Sequence, residues 1–110
     1  MAFKIVKNPT FIHEVPVMVP VDGGHERQSL RAQFRVVPQD ELADHDLRTP
    51  EGSESYCRAI VADFADIEDD TGQPMPMSDE VRNTLFRTAF VQIALIRSYA
   101  LAMSAARTGN

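Results

Sequence analysis

The stretch Val15–Glu26, VPVMVPVDGGHE, limits what this chain can fold into more than any other. Val15, Val17, Val19 and Val21 recur with a period of two, the spacing of a strand with one buried face. Pro16 and Pro20 lie between them and cannot donate a backbone hydrogen bond. Residues two and four apart in a strand aim their N–H groups at the same edge, so both prolines remove donors from one side only. The segment is therefore predicted to be an edge strand, paired on one side and blunted on the other.

Its partner follows directly. Beyond Asp22-Gly23-Gly24, which supplies the positive φ angles of a tight turn, Leu30, Ala32, Phe34 and Val36 alternate with Ser29, Arg31, Gln33 and Arg35. A β-hairpin over residues 11–37 is expected. The apolar face is odd-numbered in the first arm and even-numbered in the second, and opposed residues share a face. The loop must then hold an even number of residues. A two-residue Asp22-Gly23 loop, for example, places Val15 opposite Leu30 and Phe11 opposite Phe34. A three-residue bulged loop would set valines opposite arginines unless a bulge elsewhere restored the register, so the even loop is preferred.

After Val37 the pattern becomes helical. PQDELADHDL opens with a proline and acids, suited to a helix start of one or two turns. TPEGSESYCRAIVADFADI opens on Thr49 as N-cap with Pro50 at the first helical position. Tyr56, Cys57, Ile60, Val61, Phe64 and Ile67 form one apolar stripe along it, predicting a single helix. EDDTGQPMP breaks the chain, Ser78 caps the next helix, and a final helix is expected from about Thr88 to Arg107. With 110 residues there is room for one modest core. The expected fold is α+β, a single small domain over 1–110: the hairpin, then a helical part over 38–107 with three to four helices.

Little in the sequence carries chemistry. No nucleophile elbow, phosphate loop or HExxH is present, which points away from an enzyme and from a cofactor. Asp66, Glu68 and Asp70 alternate like calcium ligands, but the glycine falls one place late and Met77 stands where a bidentate Glu is needed. His13, His25 and His45 are scattered without the close pairs of a zinc site. No metal is expected, and Cys57, the only cysteine, reads as a small buried apolar residue. A lone cysteine and an N-terminus without a secretory apolar core suggest the cytoplasm. The net charge of −5 and pI near 5.0 disfavour nucleic acid as a partner. Residues 1–37 are mildly basic, with five Lys/Arg against three Asp/Glu, and 38–110 carry six against thirteen. Arg27, Arg31 and Arg35 share one face of the second arm, expected to be solvated or to dock an acidic protein surface.

The final helix is apolar on every side. Such a helix is buried, spans a membrane, or keeps a second face for a partner. Arg97 near its middle would cost about 2.5–3.5 kcal/mol in a bilayer, so a membrane is not expected. A helix that packs the core on one face and a protein on the other is the reading adopted. Val91, Leu95, Tyr99 and Met103, with Arg97, are the candidate residues for a client or for self-association.

The order of these motifs resembles the tail assembly chaperones of long-tailed, siphovirus-type bacteriophages. The likeness is carried by TFIHEVPVMVPVDGGHE leading into AQFRVVPQDEL, then TPEGSESYCRAIVADFADIEDDTGQPMPMSDE, and finally LFRTAFVQIALIRSYALAMSAARTGN. It covers residues 9–110. The resemblance implies a non-catalytic protein of phage or prophage origin, working in virion morphogenesis. It would act in the host bacterial cytoplasm and be absent from the finished virion. It implies binding to the tape measure protein, delivery to the tail tube protein, and a longer frameshifted form in many members. The alternative reading is a structural minor tail or head–tail joining protein, and a small nucleic-acid-binding regulator is a third.

Overall fold

A computed structural model describes residues 1–104 of the chain; the expected extension of the last helix to Arg107 lies outside the described residues. Strand β1 (Thr10–Val21) and strand β2 (Gly24–Arg35) form the hairpin. The loop is Asp22-Gly23, an even number of residues as the parity of the two arms requires, and it pairs Val15 with Leu30 and Phe11 with Phe34. Only Gly23 carries the positive φ (80°) of the turn.

The short helix α1 (Gln39–Leu42) follows Pro38, and α2 (Pro50–Ile60) starts where Thr49 Oγ1 accepts the Gly52 N–H at 2.9 Å. Here the expectation of one long helix fails. The chain passes from α2 straight into strand β3 (Val61–Ala65), which pairs antiparallel with β2. The sheet thus has three strands in the order β1-β2-β3. No glycine or proline separates helix from strand, so the usual punctuation is missing. Arg35 does that work instead. Its guanidinium donates to the carbonyl of Val61 at 2.8 Å and to those of Arg58 and Ala59, the orphan acceptors at the end of α2.

Helix α3 (Asp79–Arg87) begins where Ser78 Oγ accepts the Val81 N–H, and α4 (Ala89–Met103) follows after a bend of 83° at Thr88. No single helix among the described residues is long and apolar enough to cross a membrane. The core lies between the inner sheet face and the helices: Val15, Val17, Leu30, Ala32 and Phe34 meet Cys57, Ile60, Val61, Phe64, Phe86 and Leu95. The middle of the apolar stripe expected over residues 56–67 is therefore buried, shared between α2 and β3, while its ends, Tyr56 and Ile67, are half-buried at the margin of the core. Tyr99 stacks on Phe11 and packs at a tilt against Phe34, and its hydroxyl accepts the Val37 N–H at 3.0 Å.

Cys57 is fully buried and its Sγ approaches the Gln92 carbonyl at 3.8 Å. Burial pushes its thiol up to about 12, with a smaller contribution from the nearby Glu54 carboxylate. At pH 8 the native protein should resist a thiol reagent and react only after unfolding. Labelling at the rate of a free cysteine in native buffer would place Cys57 outside the core.

Candidate functional site: a groove between α4 and the edge strand

The edge of β1 decides the character of the site. Pro9 accepts the Val36 N–H at 3.0 Å, and the register continues from that pair through Thr10–Arg35 to Val21–Gly24. Residues of β1 that bond to β2 therefore carry odd numbers. The even-numbered residues face away, and β1 is the outer strand. Pro16 and Pro20 thus remove donors from the free edge alone, as expected. Between them only Met18 still presents an N–H. Replacing both by threonine restores a continuous row of donors and should raise strand-mediated association, read as light scattering over time. Unchanged scattering would show that the prolines do not protect the edge.

The same prolines line an open groove of about 900 Å³ between β1 and α4. Met18, Pro16 and Pro20 form one wall. The other is the flank of α4 carrying Phe90, Ile93, Ala94 and Leu101. Ile93 and Leu101 are 60% and 58% exposed, the most exposed of the large apolar side chains on α4, and Met18 is 48% exposed. Glu14, Arg27 and Arg97 also line it, two cations against one carboxylate, with His13 and His25 nearby.

This arrangement corrects the sequence reading of α4. Val91, Leu95 and Tyr99 are 5%, 0% and 3% exposed, so this chain's own core occupies the face expected to meet a partner. They lie four residues apart and form one inward stripe. The accessible stripe is Ile93, Arg97 and Leu101, about 200° away around the helix. Of the five candidate residues, Arg97 lies in the groove. Met103 is exposed at the end of α4 but does not line it. Apolarity alone could not separate the stripes, because both are apolar. Arg97 held the missing signal: a charge set four residues from both Ile93 and Leu101 marks the wet side.

The arginine face of β2 is also divided differently from expectation. Arg35 caps α2, and Arg31 pairs with the chain's own Asp66 at 3.4 Å. Arg27 faces the groove. The acidic run has a local structural role: Asp69 accepts from Thr71 and Gln73, which holds its carboxyl below the usual range. Among the described residues no group of three metal-binding side chains converges. Comparison with protein-family models, with characterised proteins and with solved structures returns no match for this chain.

Proposed function

We propose that this chain is a non-catalytic tail assembly chaperone of a long-tailed phage. It holds a helical segment of the tape measure protein in the groove between α4 and β1, and hands it to the assembling tail tube. The observation that carries the reading is the groove itself. It combines exposed Ile93, Leu101 and Met18 with a backbone edge that lacks donors at Pro16 and Pro20. A strand laid along that edge would meet missing donors, whereas a helix satisfies its own backbone and needs only apolar contact. Met18 gives the wall an adaptable side chain, suited to a client with several similar segments. Arg27 and Arg97 at the rim favour acidic residues beside the client's apolar stripe.

The resemblance in motif order supplies the biological setting. A chaperone acts before the particle is finished, so mass spectrometry of purified virions is the first test. Absence of this chain beside abundant tube protein supports the reading. Stoichiometric presence would make it a structural tail component instead.

A further inference from the structure

The segment before β1 is an apolar arm with no cover. Phe3, Ile5 and Val6 are 91%, 93% and 61% exposed, and Lys4 and Lys7 interrupt them. Asn8, at a φ of 54°, breaks the extended path between this arm and Thr10. An extended chain puts Phe3 and Ile5 on one side, so the arm offers two large apolar side chains flanked by two positive charges.

A second groove, of about 770 Å³, adjoins the α4–β1 groove, with which it shares Arg27 and Phe90, and has the complementary chemistry. Half-buried Val19, Ile67, Leu85 and Phe90 lie in its lining, at the margin of the core. Its charged lining residues are Glu26, Asp66 and Glu68 against Arg27, and since Arg31 already pairs with Asp66, Glu26 and Glu68 are the acids left for a basic arm. A basic apolar arm fits an acidic apolar groove.

The arm cannot span this groove within its own chain. The groove follows the hairpin from Leu30, the partner of Val15, to Glu26, the partner of Val19, five to nine residues beyond Thr10. At strand rise that is about 17–30 Å. From Pro9 back to Phe3 the arm spans only about 20 Å even when fully extended, and it would have to double back at Asn8. We propose that the arm Phe3–Lys7 of one copy docks into the Glu26–Glu68 groove of a second copy. Two such exchanges made reciprocally close a symmetric pair, and made in one direction they propagate a chain of copies.

The test is the mass of the full chain in solution, by light scattering across a concentration series, with circular dichroism to confirm folding. The native chain should associate. An arm variant, Phe3→Ser with Ile5→Ser, should raise the dissociation constant at least about tenfold, because both apolar anchors are lost. A groove variant, Glu26→Lys with Glu68→Lys, should do the same by reversing the charge that meets Lys4 and Lys7. The decisive sample mixes the two variants: one retains its groove and the other its arm, so a heterodimer should form from two monomers. A native chain that stays monomeric throughout, an arm variant of unchanged mass, or a mixture without heterodimer would each overturn the proposal.

Discussion

Leu95→Ala should cost about 2–5 kcal/mol of folding free energy, whereas Leu101→Ala, two turns away on the other flank of α4, should change stability by less than about 0.5 kcal/mol. Both residues are leucines of one apolar helix, and only their surroundings differ. Leu95 is fully buried among the hairpin and the helices, so truncation leaves a cavity that its neighbours fill only in part. Leu101 is 58% exposed and packs one side of an open groove. A domain of this size has about 5–15 kcal/mol in total, so the first variant loses a large share of its stability. Urea unfolding of the two variants reads the contrast directly. Equal losses would mean that α4 presents a different face to the core, and the groove would then be misplaced.

Gly52→Ala should destabilise by about 3 kcal/mol or more, the reverse of the usual outcome in a helix, where alanine gains about 1 kcal/mol over glycine. Gly52 is buried in the first turn of α2. A Cβ there would overlap the Asp46 carbonyl group and lie 2.8 Å from Thr49 Oγ1. Neither neighbour can withdraw easily. The Asp46 carbonyl accepts from both the N–H and the hydroxyl of Thr49, and that hydroxyl in turn caps Gly52. Yielding to the new methyl would therefore break the start of α2, whose other end leads directly into β3. Thermal unfolding measures the effect. A variant as stable as the native chain would show that the turn at Asp46 does not pack against the helix.

The hairpin was legible in the sequence because two independent constraints agreed. Alternation fixed the faces and parity restricted the loop to an even length, and the shortest such loop gives the observed register down to Phe11 and Phe34. The helix starts were legible through Thr49 and Ser78, whose side chains have one good use in those positions. Strand β3 was not. Its buried residues Val61 and Phe64 continue the stripe of α2, and the device that ends the helix is Arg35, 26 residues earlier in the chain than Val61. A long-range cap leaves no local trace. The groove was half legible: the prolines announced the blunted edge, but the wall that faces it depends on how α4 is rotated. That rotation is set by the packing of Tyr99 against Phe11 and Phe34 and by its bond to Val37, contacts that span most of the chain.

The claim that the groove between α4 and β1 holds the helical client is tested most directly by Ile93→Asp combined with Leu101→Asp. Both side chains are exposed, so the fold should survive, as circular dichroism and the unfolding midpoint will show. Coexpressed with the tape measure protein, the native chain should keep that protein soluble and copurify with it. The double variant should be folded and soluble alone yet lose the copurifying tape measure protein. A folded double variant that still captures it at the native yield would contradict the account.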